Sequence, residues 1–326
     1  MIWHSIQAVV VIFLLIGAGI LASWQKWITP KIADAFPKIL INLAVPCMAV
    51  YQFYTNFDRE HLLAAWMPLL VVAVAYPVMY FAGRLFAVIF RVPKTRRGLF
   101  TVLFSFSNSV FIGLPVAQSL FGNPGIPYAM FFYLGNTTFF WSLGYFGIRH
   151  DADLISGCRS HISVGEILKK LAVPPIITIL VMFGVVLLSI PLPDFIVTTA
   201  GYMSNLTTPL SLIFMGSVIY EAGLQGLRFE KNIAYVMTGR FLLIPAVMFV
   251  LNELAITLLA PFGSAADLLL MRNVFTMQAG LPVMTLTVII SRLYGADVEF
   301  ATKSFIWTML VSIITIPANM LLFQYI

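Results

Sequence analysis

Apolar residues run through this chain in stretches of about 20, the length a helix needs to cross the hydrocarbon core of a bilayer, with charged residues, glycine and proline between them. Ten such runs are read, near positions 5–23, 36–54, 66–90, 98–121, 127–147, 171–190, 200–220, 232–258, 267–291 and 303–324. The first has no Lys or Arg before it, unlike the basic start of a signal peptide, so it is read as a retained span.

Two of the runs carry the same interruption. The fourth contains Ser107-Asn108-Ser109-Val110-Phe111-Ile112-Gly113-Leu114-Pro115, and the ninth contains Thr276-Met277-Gln278-Ala279-Gly280-Leu281-Pro282. The Gly-Leu-Pro triplets begin at positions 113 and 280, 167 apart in a chain of 326. Pro46 in the second run and Pro209 in the seventh are 163 apart, and Arg84 and Arg240 form a looser third pair. Each half of the chain therefore reads as one copy of a five-span unit, 1–150 and 171–326, joined by a charged connection over 151–170. An odd number of spans per unit makes the second copy enter the membrane from the opposite side. The fold class expected is an all-α polytopic membrane protein with ten transmembrane helices in two inverted five-helix repeats.

Composition narrows the class further. Hydrophobic residues make up 60% of the chain and charged residues 10%, with a mean hydropathy of +0.96, outside the balance of soluble domains. The net charge of +6 does not indicate nucleic acid as a partner, because the basic residues cluster in short loops. Fifteen of the 19 fall in the loops after spans one, three, five, seven and nine, which places both termini outside the cytoplasm. Cys47 and Cys158 are the only cysteines, and neither has a metal-ligand partner at useful spacing, so no disulfide, metal or cofactor is expected.

Inside a bilayer, backbone freed from helical hydrogen bonding has to line a cavity or be buried in protein. Proline at 115 and 282 removes a donor, and glycine at 113 and 280 opens conformations closed to other residues. Both spans are expected to break there, leaving half-helices that start near Pro115 and Pro282. Their N-termini present unpaired N–H groups and partial positive charge, which attract anions. Discontinuous helices in corresponding positions of two inverted halves are the mark of a secondary transporter. Asn108, Asn136 and Gln278 supply neutral amides beside the breaks, and the candidate substrate site is Asn108, Gly113, Pro115, Asn136, Gln278, Gly280 and Pro282.

Charged groups in the spans are read more plainly. Arg84 and Arg240 lie toward the cytoplasmic ends of their runs, from where long side chains snorkel to water, with gating or anion attraction as the alternative. Glu253 lies toward the outer end of span eight and is expected to face water. The amides stand where a cation or proton carrier would place a carboxylate, which favours a small organic anion as substrate. No His-Glu-x-x-His or Gly-x-Ser-x-Gly occurs in any run, so an intramembrane enzyme is not indicated.

The residues Asn108 to Pro115, Ala44-Val45-Pro46, Thr208-Pro209-Leu210-Ser211 with Met215-Gly216, and Gln278-Ala279-Gly280-Leu281-Pro282 resemble the auxin efflux carrier family, in particular its bacterial malate or malonate permease branch. The resemblance implies a sodium/proton antiporter-like, bile acid symporter-like fold in which broken helices four and nine cross. It implies a scaffold from spans one, two, six and seven, a transport domain from the other six, an elevator-like displacement, and a homodimer through the scaffold. It also implies residence in a bacterial inner membrane. A sodium-coupled organic anion symporter of the bile-acid type, and a non-transporting sensor or channel, are the alternatives.

Overall fold

The computed structural model describes residues 2–64, 66–157, 174–223 and 228–325. Cys158 and positions 158–170 of the expected connection lie outside the described residues. In chain order the helices are α1 (Ile2–Trp24), α2 (Pro30–Asn56), α3 (Trp66–Ile89), α4 (Arg97–Ser105), α5 (Leu114–Phe139), α6 (Tyr145–Ser156), α7 (Pro174–Leu187), α8 (Asp194–Asn205), α9 (Thr207–Ala222), α10 (Lys231–Leu259), α11 (Ala265–Ala279), α12 (Thr285–Tyr294) and α13 (Val298–Tyr325). Among the described residues the protein is all-helical, with a single isolated β-bridge between Ser107 and Val283.

Among the described residues three helices, α2, α3 and α10, are long and apolar enough to cross a membrane in one stretch. Others of the runs read from the sequence are divided. The run 98–121 becomes α4 and the beginning of α5, the run 267–291 becomes α11 and α12, and the run 200–220 begins inside α8 and continues as α9. Large apolar side chains stand more than half exposed on several helices, among them Leu14 on α1, Phe81 on α3, Leu180 on α7, Leu242 and Val250 on α10 and Ile314 on α13. Water does not tolerate so much apolar surface around a protein, and lipid tails cover it without cost, so the protein is membrane-embedded.

Prolines explain where these helices distort. Pro46, Pro115 and Pro245 each occupy the second residue of an α-helical stretch that follows a π-helical turn, Leu40–Ala44, Ser109–Gly113 and Gly239–Leu243 respectively. A proline ring collides with the carbonyl four residues earlier in an α-helix and donates no hydrogen bond to it. A widened turn moves that carbonyl aside, so the helix continues through the proline. Within α5 the backbone kinks at Gly122, whose φ of 63° and ψ of −159° suit glycine alone.

The chain divides into two compact units, the first comprising Met1–Val9, Pro68–Val164 and Ala222–Ile326, the second Val10–Met67 and Gly165–Glu221. In the second unit α1 and α9 meet backbone to backbone. A Cβ on Gly216 would run into the Ile16 carbonyl, and one on Gly19 into the Ile213 backbone. Small residues allow such close approach where hydrophobicity gives helices in lipid no reason to associate. Gly201 of α8 lies against the Tyr51 ring of α2, and the Tyr54 hydroxyl accepts from Leu192 N at 3.1 Å.

In the first unit, α4 and α6 touch at Gly98 and Gly147, where a Cβ on Gly98 would strike the Gly147 backbone. Asp151 of α6 then reaches the start of α4 and accepts from Leu99 N at 2.7 Å. Burial pushes the Asp151 carboxyl, which lies beyond the apolar run 127–147, up to about 6. Beside it, Arg96 pairs with Asp297 at 2.5 Å and Glu230 at 3.2 Å, and Lys303 with Glu230 at 2.8 Å and Glu299 at 2.6 Å. The Lys303 ammonium bonded to Glu230 holds that carboxyl below the usual range. This network ties together the beginnings of α4, α10 and α13, and so fixes the direction from which α4 enters the interior.

Candidate functional site

Helix α4 stops at Ser105, and Phe106 leaves it in extended backbone. The chain resumes helical form at Ser109. Helix α11 stops at Ala279, and α12 begins at Thr285. The two interruptions lie side by side as a short antiparallel ladder: Asn108 N donates to Pro282 O at 2.9 Å, Met284 N to Phe106 O at 3.3 Å, and Ser107 pairs with Val283. The freed backbone of one broken helix is thus satisfied by the other, which is what a non-helical segment away from water requires.

Side chains satisfy the outer edges of the ladder. Asn136 of α5 donates to Ser107 O at 2.9 Å and accepts from Ser107 N at 3.3 Å. Its amide also donates to Ser109 Oγ at 3.1 Å and accepts from the Tyr76 hydroxyl at 3.0 Å. On the other edge, Val283 N donates to Thr308 Oγ1 at 3.4 Å. The Tyr76 ring stacks between Phe106 and Phe139, with centroids 5.8 and 5.7 Å away, so the hydroxyl that orients Asn136 is itself held rigidly.

One break lies where the sequence places it and the other does not. In the ninth run the break contains Gly280, Leu281 and Pro282, but in the first copy it comes before Gly113 and Pro115. One half-helix begins at Thr285, near Pro282 as expected, whereas the other begins at Ser109, well before Pro115. The reason is that the helix restarts ahead of Pro115 with the π-helical turn 109–113, whose wider path lets the chain continue through a proline. Pro282 lies instead between the helices, in the ladder, where it needs only to accept.

Each residue named from the sequence has a definite place. Asn108, 2% exposed, donates from Nδ2 to Thr285 Oγ1 at 3.0 Å and links the first break to the start of α12. Gln278, in the last turn of α11, is fully buried, and among the described residues neither its Oε1 nor its Nε2 has a hydrogen-bond partner. Its amide lies on the open face of Gly113, where a Cβ would collide with it. Gly280 faces elsewhere: a Cβ there would come within 3.1 Å of Asn319 Nδ2 and 3.2 Å of the Pro245 ring. The ring of Pro115 lies outside the described side chains.

Sequence reading missed several participants. Arg240 does not snorkel. It is fully buried, and its guanidinium donates to Leu281 O and Phe104 O at 2.9 Å each and to Ala279 O. Position along a run gives depth in the membrane but not facing, and Arg240 faces inward; the signal available was that a charge in an apolar span has a function by default. Thr285, Thr308 and Asn319 sit in ordinary apolar contexts that single out none of them. Glu253 is not merely facing water either, since it pairs at 2.7 Å with Arg272, whose side chain is 8% exposed and lies over the Phe249 ring.

Two archaeal proteins align with nearly the whole chain. An uncharacterized transporter of Methanocaldococcus jannaschii is 27% identical over 318 residues, covering 95% of this chain and 96% of its own length. An uncharacterized transporter of Methanothermobacter thermautotrophicus is 26% identical over 325 residues, covering 96% of each. Residues 4–156 and 158–320 match the family described as membrane transport protein, and the chain belongs to that family, the auxin efflux carriers.

Proposed function

We propose that the protein is a secondary transporter of a small organic anion, a carboxylate such as malate or malonate. The observation that carries this reading is Gln278: a fully buried amide with both polar atoms unpartnered among the described residues, packed on Gly113 beside the crossing. An unpaired buried amide costs about 1–3 kcal/mol, and a ligand that bonds it recovers that cost. Among the described residues the Ser107, Thr276 and Thr287 hydroxyls are buried without partners as well. Helix starts at Ser109 and Thr285 add N–H groups and partial positive charge, so the ligand class these groups suit is an anion with several acceptor oxygens.

The ten-span inverted-repeat arrangement belongs to the same proposal. The residues of both breaks fall in the first unit, so a substrate held there travels with that unit as one body. An elevator-type displacement of the first unit, with the second as a fixed scaffold that supports a homodimer in a bacterial inner membrane, follows from this reading. Thermal unfolding of the purified protein against malate, malonate, succinate, citrate and indole-3-acetate tests the substrate class, because a ligand of the folded state raises its stability. A rise with a carboxylate that disappears in Gln278→Ala supports the assignment; no rise with any of them argues against it.

A further inference from the structure

The last carbonyls of a helix lack intrahelical partners and carry about half a negative charge. Two such ends meet at the crossing, those of α4 and α11. In transporters built from inverted repeats, carbonyls of half-helix C-terminal ends and unwound backbone coordinate sodium. Here that carbonyl set is Phe104 O at the end of α4, Ala279 O at the end of α11 and Leu281 O in the second break, and the Arg240 guanidinium bonds all three.

The placement is built into α10. Arg240 stands on the π-helical turn Gly239–Leu243, a feature that often marks functional positions. Gly239 next to it lets α10 close on α4: a Cβ there would collide with the Phe104 ring. Among the described residues Arg240 has no carboxylate partner, and it is fully buried. A buried guanidinium without a counter-charge is costly, but two helix ends of about half a negative charge each offset one positive charge. The helix starts at Ser109 and Thr285 then keep their positive potential for a ligand.

We propose that Arg240 is the resident cation of the crossing: it occupies the carbonyl site that a coupling sodium ion takes in related architectures, and the protein assembles its crossing and binds its ligand without sodium. The inference rests on the carbonyl geometry and is independent of which anion is carried.

The test is thermal unfolding without any carboxylate, in sodium chloride against choline chloride at matched concentration, for the wild type and Arg240→Ala. The wild type is expected to unfold at the same temperature in both salts. Arg240→Ala is expected to unfold several degrees lower and to regain stability with sodium, or with guanidinium at low millimolar concentration, relative to choline. A saturable sodium-dependent rise in the wild type overturns the proposal, as does an Arg240→Ala protein that folds and responds to neither cation. Should Arg240→Ala fail to fold, the wild-type sodium titration decides. Because no carboxylate enters these measurements, their outcome stands apart from that of the anion panel.

Discussion

Asn136 holds both backbone polar groups of Ser107, donating to its carbonyl at 2.9 Å and accepting from its N–H at 3.3 Å. One side chain thereby completes the backbone hydrogen bonding of a residue that has left its helix. Replacing it by Ala strands these two groups in a buried place and leaves the Tyr76 hydroxyl only its 3.4 Å bond to Phe132 O, a cost of about 2–4 kcal/mol. Asn136→Ala should therefore lower the unfolding temperature markedly in detergent. An unchanged unfolding temperature would mean that Ser107 is supported in some other way.

Gly113 and Gln278 should behave as one unit. A Cβ at 113 collides with the Gln278 amide, so Gly113→Ala displaces the group assigned to the ligand and is expected to weaken carboxylate binding about tenfold or more. In Gln278→Ala the added methyl meets no amide, and the further loss from Gly113→Ala should be small. Binding isotherms for the two single variants and the double variant give the coupling directly, and additive losses would separate the two residues.

Asp151 makes stability depend on pH in a stated direction. Its carboxyl is raised from 3.8 to about 6 by burial, so the folded protein holds the proton more tightly than the unfolded chain does. The resulting stabilisation is present below about 3.8 and is lost as pH rises through about 6. Relative to Asp151→Asn, the wild type should lose up to about 3 kcal/mol across that window. Parallel pH profiles for the two proteins would remove Asp151 as the cause.

Glu253 is an ionic partner of an arginine that burial has nearly removed from water. Glu253→Gln leaves the Arg272 charge with weaker support, and a loss of about 1–3 kcal/mol is expected. Exposure of the Glu253 side chain, at 45%, keeps the figure toward the lower end. Denaturation in low and high salt checks this, since a pair with one exposed member weakens as salt screens it.

The sequence makes the existence of the two breaks legible, because polar groups, Gly and Pro inside apolar runs have few other uses. It does not make the break points legible. The same Gly-Leu-Pro runs out of a π-helical turn into a resumed helix in one copy, with Pro115 inside that helix, and lies in the non-helical stretch after α11 in the other. Which occurs depends on the opposing chain, since Pro282 O accepts from Asn108, 174 positions earlier in the sequence. Asn136 stands out as an amide in an apolar run, yet its partner Tyr76 is 60 positions away and looks like any interfacial tyrosine. Arg240 is the largest departure: its distance from the nearest loop suggested snorkelling, whereas its partners belong to two other helices and one break.

Flux of a carboxylate through reconstituted vesicles tests the central claim most directly. Vesicles loaded with an unlabelled dicarboxylate, malate or malonate, and diluted into the labelled compound without sodium should accumulate label saturably. Gln278→Glu, which places a negative charge beside the proposed anion, should abolish the accumulation while the protein remains folded. Carboxylate flux that is absent from the wild type, or that persists unchanged in Gln278→Glu, would contradict an anion site at the crossing.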